Sequence, residues 1–274
     1  MASEPTSAAQ STPRNLLELR DIQAGYGRAA MVLRGLSITV PASTVVCLVG
    51  PNGAGKSTVL KVASGLLVPR SGTVIVDGVD VTGQGPGQML ASGLAHVLQG
   101  HSVFREMTVA ENILLGGYTL ADRSLIAERA DFVRDLFPIV GERWGQLAGL
   151  LSGGEQKQVE FARSLMVSPK VVLLDEPSMG LDPKTTSVVF EQVLRMRDAG
   201  TAVLLVEQNA RRALENSDIG CVLDLGTVFS TGPAPELLAD PQLSELYLGA
   251  RPGEHSSVSR GTEPGAGAEP AGDR

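Results

Sequence analysis

The segment "VVCLVGPNGAGKSTVL", residues 45–60, is the most informative stretch of the sequence. An apolar run that is typical of a buried strand leads into a glycine-rich turn, and the residues after the turn can begin a helix. Glycines let backbone N–H groups face inward on phosphates, Lys56 supplies a point charge to them, and the Ser57 hydroxyl suits Mg²⁺. Thr58 is expected to add a phosphate contact. The segment therefore predicts a phosphate loop made of Gly50, Pro51, Asn52, Gly53, Ala54, Gly55, Lys56 and Ser57.

A second apolar run ends in two carboxylates, in "VVLLDEPSMGLDP" at residues 171–183. Four apolar residues precede Asp175 and Glu176, as expected for a strand that ends near the phosphates. We expect Asp175 to hold Mg²⁺, directly or through water, and Glu176 to orient or deprotonate the attacking water. The alternative is a surface helix N-terminus with two acidic residues, which the phosphate loop disfavours. Asp182 followed by Pro183 predicts the start of the next helix.

A further glycine-containing segment, "LSGGEQKQ" at residues 151–158, is called the LSGG segment below. Ser152 and Glu155 match a capping box, in which the first side chain accepts from a backbone N–H group and the glutamate reaches back. Gly153 and Gly154 expose N–H groups at this predicted helix start, and the Ser152 hydroxyl completes a candidate anion site. The chain therefore carries two candidate phosphate-binding devices.

Short apolar runs alternate with longer mixed segments along the chain, which predicts an α/β sheet with helices packed on it. Asp77 and Gly78 form a hairpin turn signal, so an antiparallel β element is expected there. Between about residues 108 and 166 the β signal disappears, a capping box begins at Thr108, and residues 123–137 have helical spacing. This part is predicted to be a helical insertion. The predicted strands are 44–49, 73–76, 171–174 and 201–206.

Composition limits the classes of function. The chain has 274 residues, of which 43% are hydrophobic, and this suits one large domain or two lobes that share a core. A net charge of -7 argues against binding nucleic acid by phosphate neutralisation. No apolar run approaches the ~18 residues of a membrane helix and the first residues lack a signal-peptide pattern, so we expect a cytosolic protein. Residues 1–14 and 251–274 are rich in small, polar and proline residues and are predicted to be disordered tails.

Cysteine and histidine give no sign of redox or metal chemistry. Cys47 and Cys221 each lie inside an apolar, strand-like run, which favours buried reduced thiols over a disulfide. The three histidines, His96, His101 and His255, do not form a metal-ligand set.

The motifs together resemble the ABC transporter ATPases. GPNGAGKST, LSGGEQKQ, VVLLDEP and the following SMGLD stand in that family's order and approximate spacing, and the resemblance runs from about Leu16 to Gly249. It implies an α/β fold of the P-loop NTPase class and ABC type, with a front antiparallel β subdomain and an inserted α-helical subdomain. The implied ATPase domain is 15–250, with its helical subdomain at about 100–166, between the two tails.

In the resembled family two ATPase subunits pair head to tail. Each ATP then lies between the phosphate loop of one subunit and the LSGG segment of the other, so Ser152, Gly153, Gly154 and Glu155 are implied to contact nucleotide. Asp182 matches the aspartate that communicates across such a pair. The resemblance therefore implies an ATP hydrolase that uses ATP and Mg²⁺ and forms half of a homodimer or heterodimer.

Three more residues receive roles from the resemblance. Tyr26 matches the aromatic residue that stacks on adenine, although a core tyrosine is the alternative. Gln99, in "AHVLQGHSVF", matches the glutamine that touches Mg²⁺ or water, where a plain surface amide is the alternative. Gln208 stands where most members have His. It can donate a hydrogen bond to the γ-phosphate but cannot become cationic, and the alternative is that it only finishes a strand.

Three further stretches narrow the resemblance to importers of branched-chain or other hydrophobic amino acids. They are "MTVAENILLGGY", "LLVEQN" and "LLADPQLSELYLG". The implied partners are membrane permease subunits, a second ABC ATPase and, indirectly, a substrate-binding protein, with no nucleic acid. Loop 100–107 and the helical subdomain would contact the permease, which implies a peripheral location on the cytoplasmic face of the membrane. His101 either lines that surface or is an ordinary loop histidine.

Other functions stay open at this point. An importer of urea or a related amide shares the same pattern. A soluble ABC ATPase acting on DNA or ribosomes is disfavoured, because long coiled coils, a second cassette and basic patches are missing. A module that closes on ATP without turnover is disfavoured by Glu176.

Overall fold

A computed structural model describes residues 14–27, 30–100, 102–241 and 243. The two predicted tails, apart from Arg14, lie outside these residues. His101, His255 and residues 242 and 244–249 of the "LLADPQLSELYLG" stretch also lie outside them.

The described residues form ten strands in two sheets. The larger sheet is parallel except at one edge strand, and the smaller sheet is antiparallel throughout. In chain order the strands are β1 (Asn15–Ala24), β2 (Leu33–Pro41), β3 (Val45–Val49), β4 (Ser71–Val76), β5 (Val79–Asp80), β6 (Leu94–Val97), β7 (Val171–Asp175), β8 (Ala202–Val206), β9 (Ile219–Asp224) and β10 (Thr227–Pro233). The larger sheet has the order β10-β9-β3-β8-β7-β6, and the smaller one β2-β1-β4-β5.

Helices connect and cover the strands. They are α1 (Lys56–Ala63), α2 (Pro86–Ala91), α3 (Val109–Gly116), α4 (Arg123–Leu136), α5 (Pro138–Glu142), α6 (Gly153–Leu165), α7 (Pro183–Asp198), α8 (Ala210–Glu215) and α9 (Ala234–Ala239), with a 3-10 turn at Ala148–Leu150. No helix in the described part of the chain is both long and apolar enough to cross a membrane.

The strand predictions are confirmed, since each predicted run overlaps one of β3, β4, β7 or β8. The hairpin at residues 77–78 is confirmed as well. Val76 pairs with Val79, and the two residues between them have φ of 50° and 81°, as a tight turn with two left-handed positions requires.

The predicted helical insertion is also present. Helices α3 to α6 lie between β6 and β7 in the chain, and the described residues from 98 to 170 contribute no strand, only an isolated bridge between Thr108 and Leu147. Both predicted capping boxes form, at Thr108 and at Ser152. The subdomain boundaries at about 100 and 166 stay a prediction.

The larger sheet is the middle layer, because its two faces belong to two different cores. Alternate residues of β3 face a core shared with α3, α6 and α7, and the others face a core shared with β1, β2, β4 and α1. Cys47 lies in the first core and Cys221 in the second, so the two free thiols point to opposite faces of the sheet. Both thiols are free and buried, as predicted, and burial raises the pKa of each to about 12.

Candidate active site

The phosphate loop joins the end of β3 to the start of α1. Gly50 has φ of 150° and Gly55 has φ of 108°, a region that side chains rarely adopt. A Cβ atom on Gly50 would also lie 2.1 Å from the Leu223 carbonyl oxygen. No side chain caps α1 at Gly55, so its first N–H groups are left for an anion. The loop therefore has the backbone geometry that phosphate binding needs.

Lys56 points back across this loop. It is 6% exposed, and its Nζ donates to the carbonyl oxygens of Gly50, at 2.7 Å, and Pro51, at 3.0 Å. Burial lowers the pKa of Lys56, while the carboxylates of Glu176 and Asp175 oppose that shift. The ammonium group thus lies within electrostatic reach of both predicted carboxylates.

A cavity of about 320 Å³ adjoins the loop. It is lined by Tyr26, Val32, Asn52, Gly53, Gly55, Lys56, Ser57, Thr58 and Glu176. The Tyr26 hydroxyl lies 3.4 Å from Thr58 Oγ1, and Lys61 Nζ lies 5.4 Å from the centre of the tyrosine ring. Tyr26 is 45% exposed, so the alternative that it is a core residue is wrong.

Asp175 ends β7 and has the features of a cation ligand. Its Oδ1 atom is buried and has no hydrogen-bond partner among the described residues. Burial raises the pKa of Asp175, Glu176 adds to that rise, and Lys61 and Lys56 oppose it. A buried oxygen without a partner is costly, and hard oxygen donors are what Mg²⁺ prefers. The residues therefore fit Mg²⁺ bound through one carboxylate, the Ser57 hydroxyl and nucleotide phosphates. No cluster of three or more His, Cys, Asp or Glu that could hold a metal ion occurs in the described ranges.

Glu176 lies beside Asp175 but outside the strand. Its φ is 45° and no helix begins there, so the alternative of an acidic helix N-terminus is wrong. Gln99 Nε2 donates to Glu176 Oε2 at 2.9 Å and also lies 3.1 Å from Met179 Sδ. Gln99 is thus exposed yet engaged with the candidate catalytic carboxylate, rather than a free surface amide.

Three polar residues follow β8, and the structure places each differently. Val206 pairs with Asp175 across the sheet, which puts these residues at the same sheet edge as the carboxylates. Glu207 is buried, Gln208 is exposed, and Asn209 caps α8 by accepting from Arg212 N–H. The Gln208 side chain has no hydrogen-bond partner among the described residues. Its predicted contact with the γ-phosphate is untested and stays a proposal. The asparagine could have predicted the cap on α8, because Asn is a preferred N-cap residue, whereas no local signal predicts that Glu207 is buried.

The LSGG segment begins α6 as predicted. Ser152 N–H donates to Glu155 Oε2 at 2.8 Å, and Glu155 N–H donates back to Ser152 Oγ at 3.4 Å. Asp182 caps α7, accepting from the N–H groups of Lys184 and Thr185 at 3.0 and 3.1 Å. None of residues 151–158 lines the phosphate-loop cavity. The two candidate anion sites of one chain are therefore separate.

One face of α6 carries a buried row of charges that the sequence analysis missed. Lys157 Nζ donates to Glu160 Oε2 at 2.5 Å and to the Gly100 carbonyl oxygen at 2.7 Å. Glu160 accepts from Ser102 N–H, and Arg163 donates to the Ser102 carbonyl and hydroxyl oxygens, each at 2.8 Å. Opposite charges three residues apart were the available signal. The row ties α6 to the chain that follows Gln99.

A second cavity, of about 510 Å³, lies against this row. It is mostly apolar and includes Phe104, Leu115 and Tyr118, with His96 of β6 in its wall. Neither ring nitrogen of His96 has a partner among the described residues, and burial lowers its pKa to about 4. His96 is therefore neutral at physiological pH.

A glycine-rich phosphate loop between a central parallel strand and a helix, with a carboxylate pair on a nearby strand, defines a P-loop nucleotide hydrolase. The inserted helical part and the LSGG segment narrow this to the ATP-binding cassette type. Solved structures agree. A nucleotide-free ATP-binding cassette from an ABC transporter has a TM-score of 0.75 and 28% identity, covering 86% of this chain and 100% of its own. The ADP conformation of another such cassette has a TM-score of 0.77 and 29% identity, covering 86% and 99%.

The protein family described as ABC transporter matches residues 33–179. A high-affinity branched-chain amino acid transport ATP-binding protein, BraG of Pseudomonas aeruginosa, is 37% identical over 85% of this chain and 100% of its own length. A probable branched-chain amino acid transport ATP-binding protein, LivF of Archaeoglobus fulgidus, is 36% identical over 85% and 99%. The lipopolysaccharide export ATP-binding protein LptB of Haemophilus influenzae is 32% identical over 86% and 98%. This chain belongs to the ABC transporter family and is a nucleotide-binding subunit that hydrolyses ATP.

Proposed function

We propose that this ATPase pairs head to tail with a second ABC ATPase and energises a permease that imports branched-chain or other hydrophobic amino acids. ATP binding favours the closed pair and so drives the permease between its two access states, and hydrolysis resets the pair. The partner ATPase is either a second copy of this chain or a different cassette.

One observation carries the pairing. The phosphate-loop cavity contains Lys56 and Glu176 but no residue of the LSGG segment, although that segment has its own helix start, at which Ser152 is exposed. An anion site without a ligand in its own subunit is explained if it completes the nucleotide site of a partner. Ser152, Gly153, Gly154 and Glu155 would then contact the partner's ATP, and Asp182 would lie at the interface between the two sites.

Within one site the residues divide the work. The phosphate loop and Lys56 hold the phosphates, and Tyr26 stacks on the adenine. Asp175 and Ser57 would hold Mg²⁺, with Gln99 as a further ligand, and the ion would neutralise phosphate charge. Glu176 orients and deprotonates the attacking water, and Gln99 holds its carboxylate in place. Gln208 donates a hydrogen bond to the γ-phosphate without taking part in proton transfer.

The substrate assignment is supported by the names of relatives. BraG and LivF, at 37% and 36% identity, are named for branched-chain amino acid transport. The LptB relatives, at 32% to 33% identity, are named for lipopolysaccharide export, so export of a lipid is the second candidate. Import of urea or a related amide stays a third possibility because it shares the sequence pattern.

The permease would dock against the 510 Å³ cavity and the neighbouring loop 100–107. Phe104 and Tyr118 are 49% and 74% exposed there, as suits an apolar contact with another protein. This docking would hold the subunit at the cytoplasmic face of the membrane as a peripheral protein.

The pairing is tested with Ser152→Ala. We expect this variant to bind ATP as a monomer with nearly wild-type affinity, because the phosphate loop is intact, but to form the ATP-dependent pair less readily. Nucleotide affinity is measured by fluorescence titration and pairing by analytical ultracentrifugation in the Glu176→Gln background, where ATP persists. Equal weakening of both quantities would contradict the sandwich arrangement.

The substrate is tested by purifying the subunit from native membranes and identifying its companions by mass. The complex is then reconstituted in vesicles. Uptake of labelled leucine that depends on ATP supports the proposal, whereas movement of urea or of lipopolysaccharide supports one of the other candidates.

A further inference from the structure

A buried carboxylate outside the nucleotide site has no role in the proposed mechanism. Glu207 is 2% exposed and lies one residue before Gln208. It forms no ion pair within the described part of the chain, and both of its oxygens bond to one residue. Oε1 accepts from Ser178 N–H and Oε2 accepts from Ser178 Oγ–H, each at 2.9 Å. Burying an acidic side chain without a cation is costly, so this contact calls for an explanation.

Ser178 belongs to the turn that carries Glu176. Glu176 is one of the few non-glycine residues with a left-handed backbone, at φ 45°, and such a conformation persists only where its surroundings hold it. The turn is fastened to the end of β8 at two points. At the first, Glu176 N–H donates to the Val206 carbonyl oxygen at 2.9 Å. At the second, Ser178 donates two hydrogen bonds to the Glu207 carboxylate.

The same turn sets both partners of Gln99. Met179 N–H donates to the Glu176 carbonyl oxygen at 3.1 Å, and Gln99 contacts the side chains of these two residues. If the turn relaxed toward an ordinary backbone conformation, the Glu176 carboxylate and the Met179 side chain would therefore both move, and Gln99 would lose its two contacts. Glu207 is 2% exposed and both of its oxygens accept hydrogen bonds from Ser178, so they are not free to contact nucleotide or water.

We propose that Glu207 is a positioning residue for hydrolysis, whose carboxylate clamps Ser178 and so holds the strained turn that aims Glu176 into the nucleotide site. This inference rests on the proposed role of Glu176. It assigns to Glu207 a geometric action, since its oxygens are occupied by Ser178, and no direct part in proton transfer.

The test compares Glu207→Ala with Glu207→Gln. Glutamine keeps the clamp without the charge, because its amide oxygen can accept from Ser178 N–H and its NH₂ group can donate to Ser178 Oγ. We expect Glu207→Ala to lower kcat about tenfold with KM for ATP within about twofold, and Glu207→Gln to stay within about threefold of wild type in both. Wild-type kcat in the alanine variant, or an equal loss in the glutamine variant, would overturn the clamp.

A double-mutant cycle separates the clamp from a general loss of structure. Ser178→Ala removes only the hydroxyl bond, so its kcat should lie between wild type and Glu207→Ala. The variant with both changes should be no slower than Glu207→Ala, because the two residues act as one unit. Additive losses would overturn the proposal. Urea denaturation at the assay temperature establishes that each variant is folded.

The stability of Glu207→Gln gives a readout of the buried charge. Burial raises the pKa of Glu207 and the charge of Glu176 adds to the rise, while hydrogen bonds from Ser178 and from the Gln208 backbone N–H oppose it. The ionised form is therefore less favourable in the folded than in the unfolded chain. The stability that the protonated Glu207 carboxyl group contributes is therefore lost as pH rises through its folded-state pKa. At neutral pH the free energy of unfolding of Glu207→Gln should be at least as large as that of wild type. If Glu176→Gln keeps full turnover, the proposed role of Glu176 itself fails. If Glu176→Gln is inactive and Glu207→Ala is normal, only the clamp fails.

Discussion

Gly154 offers a test of how closely the LSGG segment packs inside its own subunit. It is the second residue of α6, and a Cβ atom there would lie 2.3 Å from Thr185 Cγ2 on α7. Real carbon contacts are about 3.5–4.0 Å, so the helices must separate or Thr185 must rotate. Rotation is opposed because Thr185 Oγ1 donates to Asp182 Oδ2.

The magnitude follows from two opposing effects. Overpacking of this kind costs about 1–3 kcal/mol, whereas replacing a helical glycine by alanine gains roughly 0.5–1 kcal/mol. We therefore expect Gly154→Ala to lower the free energy of unfolding by about 0–2.5 kcal/mol, measured by equilibrium urea denaturation.

The control is Gly87→Ala. Gly87 is also the second residue of its helix, α2, and a Cβ atom there meets nothing within 4 Å. This variant should be stabilised by roughly 0.5–1 kcal/mol. Thr185→Ser keeps the hydroxyl and removes Cγ2, so it should relieve the defect of Gly154→Ala. Equal stabilisation of both alanine variants, or no relief by serine, would refute the packing argument.

Three other predictions concern the buried charges, the buried histidine and the strand end. Glu160→Ala leaves the Lys157 ammonium buried without its ion pair and should cost about 3–5 kcal/mol of unfolding free energy, while the apolar pair Lys157→Met with Glu160→Leu should lose much less. His96 has its pKa lowered from 6.5 to about 4, so the folded state binds fewer protons in that window. Wild type should lose about 2–3 kcal/mol more than His96→Leu between pH 7 and pH 4.5, in thermal or urea melts. Gln208→Ala should lower phosphate release without changing the melting temperature, and unchanged turnover would favour a residue that only finishes the strand.

Local signals predicted much of this molecule because their chemistry is contained in a few adjacent residues. The glycine loop before Lys56, the hairpin at residues 77–78, the capping box at Ser152 and the cap at Asp182 all depend on neighbours in the chain, and all are present. Resemblance implied that Gln99 touches Mg²⁺ or water, but its hydrogen bond to Glu176, 77 residues along the chain, was not predicted.

Features that depend on distant packing were not predictable from such signals. Glu207 is 29 residues from Ser178, so nothing near it in the chain marks it as a clamp. β1 is another case, because its register shifts between Leu19 and Ile22 and Asp21 has φ of 50°, which breaks the period-two alternation of a strand. In both, tertiary contacts decide what local sequence leaves open.

We propose that Glu176, held by Gln99 beside the phosphate loop, performs the proton chemistry of ATP hydrolysis. This role is measured by following phosphate release and ATP binding side by side for wild type and Glu176→Gln. Loss of one well-placed catalytic group typically costs ~10² to 10⁴ in rate, so turnover should fall by that factor while ATP affinity stays within a few-fold. Near-normal phosphate release by Glu176→Gln would show that Glu176 does not carry this proton transfer.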